Sequence, residues 1–155
     1  MGITIHYAGR ALSEDSIAAA FKEGIELAHE FGWEARVPPA DAMREEGLVF
    51  FPHVDCEPVH LRFTRTRRFS EFCKTQFAGP SVHLQVLEFL ERLSGHFSNL
   101  IVYDEAEDIL AEGEDMSLDE AFDKALAFIK DGLLEYPDAQ MKVRLPSGRI
   151  ADLIG

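Results

Sequence analysis

The chain has 155 residues, 46% of them hydrophobic, enough for one globular domain with a real core and too many for a disordered segment. Lys and Arg number 15 against 28 Asp and Glu, a formal net charge of −13, so nucleic acid and anionic membrane are poor partners for the surface as a whole and a basic partner is favoured. The two cysteines, Cys56 and Cys73, are too few for a disulfide framework and read as thiols of a reducing, cytoplasmic compartment.

Ile3, Ile5 and Tyr7 alternate with Thr4, His6 and Ala8, the period of a half-buried strand. Ser13, followed by Glu14 and Asp15, opens a helix whose face carries Ile17, Phe21, Ala28 and Phe31 and which stops at Gly32. Trp33 to Val37 reads as a short strand ended by Pro38-Pro39, and residues 38–46 as an exposed loop. Leu48 to Phe51 is a buried strand; a further strand begins at Pro58, with Val59, Leu61 and Phe63 inward. The spacing of Val82, Val86, Leu90, Leu93 and Phe97 predicts a helix from Pro80 to about Phe97. Leu100 to Tyr103 follows as a strand, and 104–115 as an acidic irregular stretch. Ser117, with Glu120 three positions on, is a capping box for a last helix bearing Leu118, Phe122, Ala125, Leu126, Ile129 and Leu133.

This order predicts an α+β domain over residues 1–135, helices packed on one face of a mostly antiparallel sheet; a ferredoxin-like core with one extra strand is one arrangement. In the tail, 136–155, Met141, Val143 and Leu145 alternate before Pro146-Ser147-Gly148, and Ile150, Leu153 and Ile154 recur after it. That segment reads either as a hairpin added to the sheet or as an arm that docks on a second copy to make a homodimer. No apolar run nears the roughly 18 residues of a membrane span, and the opening Met-Gly-Ile-Thr-Ile-His lacks the basic and apolar regions of a signal peptide.

The densest run of special residue types is Lys74-Thr75-Gln76-Phe77-Ala78-Gly79-Pro80-Ser81-Val82-His83. Gly79 frees the backbone for a sharp turn, Pro80 suits the first helical turn, and His83 falls close to the open N–H groups of the helix start. Cys56-Glu57-Pro58 with Leu61 and Phe63, this run, and Tyr103-Asp104-Glu105 together resemble a family of uncharacterised small bacterial proteins over about residues 47–105. The resemblance implies one fold across the motif and no particular activity. The chain departs from the family after Glu105. Where the family continues with a glycine pair, a Tyr-Trp and a Glu-Thr, Ala106-Glu107-Asp108-Ile109-Leu110 stands, so any pocket wall formed by those aromatics is changed here.

Four chemistries fit the residue types. His53, Cys56, His60, Cys73 and His83, with Asp104 and Glu105, include zinc-ligand types, Cys56, His60 and His83 being the candidate set; the absence of a CxxC or HxxxH pair argues against a structural site. His83 held in the core by a hydrogen bond from Gln76 or Asp104 is the plainer reading. Cys73, before Lys74 and a helix start, is a candidate nucleophile of lowered pKa, to be paired with His83 and with Asp104 or Glu105; Cys56 is the second candidate thiol.

Arg62, Arg65, Arg67, Arg68 and Lys74 put five of the fifteen basic residues into thirteen positions. Beside the helix start they make Arg62, Lys74, Thr75, Gln76, Gly79, Ser81 and His83 candidates for holding a small anionic ligand. The GxxxxGK[ST] order of a phosphate-binding loop is missing, and no cofactor is expected. The same arginines also suit ion pairs with 104–123, which holds ten carboxylates and no basic residue. That acidic face suits a basic protein partner, provided apolar anchors stand among the acids, because charge sets on-rate more than affinity. The expectation is therefore a non-catalytic binding or regulatory domain working through the 56–83 segment and an acidic face. The alternative is a Cys/His-based or metal-dependent enzyme centred on His83.

Overall fold

A computed structural model describes residues 3–111, 116–135, 141–144 and 150–153, with side chains over 3–111 and 116–128. The elements run β1 (Thr4–Ala11), α1 (Glu14–Phe31), β2 (Glu34–Arg36), α2 (Met43–Glu46), β3 (Leu48–Phe51), β4 (Val59–Leu61), β5 (Arg68–Lys74), α3 (Pro80–Leu93), β6 (Phe97–Asp104), α4 (Glu105–Ala111), α5 (Leu118–Glu135), β7 (Met141–Arg144) and β8 (Ile150–Leu153). The fold is α+β with antiparallel pairing throughout. The first six strands divide into two sheets of three, ordered β5-β1-β6 and β2-β3-β4, in place of one ferredoxin-like sheet. β7 and β8 pair with each other, as a hairpin requires, in a sheet of their own; the turn between them and the core positions Ile129 and Leu133 lie outside the described side chains.

One apolar core joins the two larger sheets to α1 and α3. β1 contributes Ile5 and Tyr7, β5 Phe69 and Cys73, β3 and β4 Leu48, Phe50, Val59 and Leu61, and α3 Val86, Phe89, Leu90 and Leu93. α1 enters this core with Ile17, Ala20, Phe21 and Leu27 because its ends are fixed by the sequence. Ser13 Oγ accepts the Ser16 N–H at 3.0 Å, and Gly32 closes the helix in the left-handed region at φ 72°. A second, smaller cluster of Ile3, Ala106, Ile109, Ala121, Phe122 and Ala125 seats α4 and α5 against the start of β1. The capping box forms as expected, Ser117 and Glu120 exchanging backbone-to-side-chain bonds of 2.7 and 3.2 Å.

Residues 68–74, for which the sequence predicts no element, form strand β5, in which Glu71 breaks the apolar alternation of Phe69 and Cys73. Three local expectations are corrected. The stretch 38–46 contains the one-turn helix α2. Helix α3 ends at Leu93, a 3-10 turn spans Ser94–His96, and Phe97 opens strand β6 rather than closing the helix stripe. The segment from Glu105 to Ala111 is helical, started by Asp104, whose Oδ1 accepts the Ala106 N–H at 2.9 Å.

Candidate functional site

The motif residues meet in the core. Thr75 follows β5, His83 lies on the first turns of α3, and Asp104 ends β6. Thr75 Oγ1 is 2.7 Å from His83 Nδ1, and His83 Nε2 is 2.8 Å from Asp104 Oδ2. A carboxylate only accepts, so Nε2 carries a proton; in the neutral ring Nδ1 accepts from the Thr75 hydroxyl. Thr75 and His83 are 0% exposed and Asp104 is 6% exposed. The Phe122 ring meets the imidazole edge-on at 5.4 Å between centroids. Asp104, rather than Gln76, supplies the hydrogen bond to His83. Gln76 is directed elsewhere: its Oε1 accepts the Ile3 N–H at 3.3 Å, and its buried Nε2 has no hydrogen-bond partner among the described residues. The order of groups matches a hydroxyl–imidazole–carboxylate relay, but no substrate reaches a hydroxyl buried at 0%.

The thiols meet each other and not the histidine. Cys56 Sγ and Cys73 Sγ are 3.6 Å apart, both buried and unbridged. The expected lowering of the Cys73 pKa is corrected: the hydrogen bond shared with Cys56, then burial, push this thiol far above its ordinary range. The candidate metal set does not assemble. Among the described residues no three His, Cys, Asp or Glu side chains converge on a point, and Cys56 and His83 each have other partners. The backbone of His60 is bonded to Tyr7: its N–H donates to the Tyr7 oxygen at 2.9 Å and its carbonyl accepts the phenol at 2.8 Å. The Nδ1 of His53 accepts the Asp55 N–H at 3.1 Å.

The anion candidates divide by burial. Thr75, Gln76 and His83 are interior; Ser81 and Arg62 are exposed; Gly79 is half-buried at φ 90°. Lys74 lays its ammonium 5.9 Å from the centre of the Phe77 ring, and its N–H donates to Glu57 at 3.1 Å. None of the arginines of 62–68 pairs with 104–123 among the described residues. Arg62 instead lies 3.8 Å from Glu71, and Arg67 donates to the Leu12 carbonyl at 2.7 Å.

The open chemistry lies on the outer face of sheet β5-β1-β6, which the sequence reading missed. His6 stands directly between Phe72 and Tyr103 in the register, with ring centroids 6.2 and 5.7 Å away. Phe72 is 55%, Tyr103 48% and Ile101 66% exposed. With Ala8 and Ser70 they line a shallow depression of about 180 Å³. Helix α4 borders this row with carboxylates: His6 Nε2 is 3.0 Å from Glu105, and the Tyr103 hydroxyl donates to Asp108, which pushes the phenol pKa up. The signal was present in Ile5-His6-Tyr7 and Phe72, whose alternation assigns His6 and Phe72 to the outside once β5 is recognised as a strand.

No family model, curated protein or solved structure matches this chain.

Proposed function

We propose that this protein is a binding module whose partner is a basic protein segment lying across the outer face of sheet β5-β1-β6. The observation that carries the reading is the row Phe72–His6–Tyr103, its two outer rings exposed and its edge bordered by Glu105 and Asp108. Large rings left in water contribute little to folding and are the usual anchors of an interface. The apolar anchors that the acidic run lacks in sequence come from the two strands flanking His6, Phe72 of β5 being the contribution of the 56–83 segment and Tyr103 that of β6. A net charge of −13 steers a basic partner toward this edge and repels a second copy of the chain.

The Lys74–His83 motif, in this reading, serves the fold: Thr75 and His83 lie in the core and position strand β6 and helix α4 through Asp104. The resemblance to small bacterial proteins, and a cytoplasmic setting in which Cys56 and Cys73 stay reduced, accord with it. Against an enzyme centred on His83 stand the burial of the imidazole and the raised pKa of Cys73.

The test is affinity capture from an extract of the cells that make the protein. Immobilised wild type is compared with Phe72→Ser/Tyr103→Ser and with Glu105→Lys/Asp108→Lys, at low and high salt. The expected result is a basic protein retained by wild type, released by salt, and lost from both variants while their melting temperatures hold. Equal retention by all three proteins overturns the proposal. A dimer of the wild type on a sizing column, dissociated by the Phe72/Tyr103 variant, replaces the basic partner with a second copy.

A further inference from the structure

We propose that the opposite end of the same sheet face, at Arg10 and Arg68, binds a small molecule carrying one phosphate or carboxylate on an apolar body. Arg10 of β1 and Arg68 of β5 are register partners, directly opposite each other, and both are exposed. Like charges placed opposite across a strand pair destabilise a sheet. The arrangement is the more notable in a chain with 28 carboxylate residues against 15 basic ones. Other arginines have found acceptors: Arg44 holds Glu14 at 2.7 Å, Arg92 holds Glu30 at 2.9 Å, and Arg62 lies against Glu71. Among the described residues no carboxylate lies within ion-pair distance of Arg10 or Arg68. Arg36, also without one, faces Val49 in the register and not a second cation.

The surroundings of this pair are built for a ligand larger than an ion. A groove of about 610 Å³ runs alongside Arg68, lined by Ala8, Gly9, Phe63, Phe69 and Ser70 among others; Arg10 is not on its lining and stands at its end, opposite Arg68 in the register. That volume is typical of small-molecule sites and far exceeds a lone phosphate. Gly9 is part of its shape: a Cβ there would come within 2.9 Å of the Phe69 ring. The backbone of Arg68 is fixed by the preceding turn, its N–H donating to Thr64 Oγ1 at 3.0 Å and its carbonyl accepting the Thr64 N–H at 2.8 Å. Two guanidinium forks offer paired donors to one tetrahedral or planar anion. Arg62 and Glu71, also on the groove, lie 3.8 Å apart and offset each other, which leaves Glu45 to disfavour a second negative group. This site does not rest on the protein partner proposed above, whose anchors are Phe72 and Tyr103, although the two depressions meet at Ala8 and Ser70.

The experiment is a titration of the ¹⁵N-labelled protein with phenyl phosphate and, separately, with benzoate, inorganic phosphate and benzyl alcohol. Saturable shifts of the Gly9, Thr64 and Arg68 amides, which border this groove alone, are expected with phenyl phosphate or benzoate, the tighter of the two naming the anion. Inorganic phosphate and benzyl alcohol should bind at least about tenfold more weakly. Arg10→Gln/Arg68→Gln should weaken the preferred probe at least about tenfold and leave the melting temperature unchanged or higher, since it removes the opposed charges. Arg36→Gln should bind as wild type. No saturable shift by about 10 mM phenyl phosphate and benzoate, equal binding by the double variant, or equal binding of inorganic phosphate each overturns the proposal.

Discussion

Cys56 Sγ and Cys73 Sγ lie 3.6 Å apart in the core, and each thiol is also directed at the carbonyl of the residue that follows the other, Cys73 at Glu57 and Cys56 at Lys74. This arrangement ties the loop before β4 to the end of β5 through the two thiols, with that of Cys73 held neutral. It sets how stability depends on pH, because a thiol held neutral in the fold is free to ionise once unfolded.

The Cys73 pKa is raised above its ordinary 9.0, so the folded protein keeps a proton that the unfolded chain loses. Stability is therefore fully present below about pH 9 and falls as pH rises above it, by about 1.4 kcal/mol per pH unit for the one proton. Tyr7, raised above 10.0 chiefly by burial, steepens the fall at higher pH. Urea midpoints measured from neutral pH to about 10.5 should show the decline, and Cys73→Ser should remove the part that begins near pH 9. A wild-type curve flat to pH 10.5 would count against a Cys73 thiol held neutral by the fold.

His83→Ala should destabilise the protein by about 3 kcal/mol, because it leaves Thr75 and Asp104 buried without their partner. Urea unfolding followed by circular dichroism measures it. A stable, folded His83→Ala protein would mean that the imidazole contributes little to the fold and would return it to the list of functional groups.

Phe69 and Phe72 share strand β5 and face opposite ways, Phe69 being 4% and Phe72 55% exposed. Phe69→Ala should cost about 3–5 kcal/mol, whereas Phe72→Ala should stay within about 0.5 kcal/mol of wild type. Denaturant midpoints of the pair decide the point, and a large loss in Phe72→Ala would mean that the outer ring is structural.

Gly47 sits at φ 73° and ψ −172°, a region open essentially to glycine alone. A Cβ there would meet the Leu61 carbonyl oxygen at 2.5 Å and Arg62 Cα at 2.8 Å, both backbone atoms that cannot swing aside. Gly47→Ala should destabilise by about 2–3 kcal/mol and loosen the β3–β4 pairing, seen as faster amide exchange at Leu48 and Leu61.

What the sequence discloses depends on whether the signal is local. α1 and α5 are legible because Ser13, Gly32 and the Ser117–Glu120 box act within a few residues of the ends they define. β5 is hidden by Glu71, an inward-side residue tolerated because Arg62 approaches it. The start of β6 is hidden by Asn99, which takes φ 54° where the register with β1 shifts and so breaks the alternation. α4 is hidden because five of its seven residues, counting from Glu105, are carboxylates or alanines, and its cap comes from a side chain that also serves the core. The site obeys the same rule. The need of His83 for a hydrogen-bond partner is readable, with Asp104 one of two candidates, but no spacing reveals that Thr75 takes the other nitrogen. The Phe72–His6–Tyr103 row depends on strand order, which binary pattern alone does not encode.

Asp104 makes the interior and the rim a single mechanism of registration. One of its oxygens grips the imidazole and the other sets the first turn of α4, so Glu105 and Asp108 stand where the hidden network puts them. Conservative exchange of an interior residue should thus retune the acidic rim without altering any residue on it. The buried histidine serves as the alignment pin for a surface it never touches.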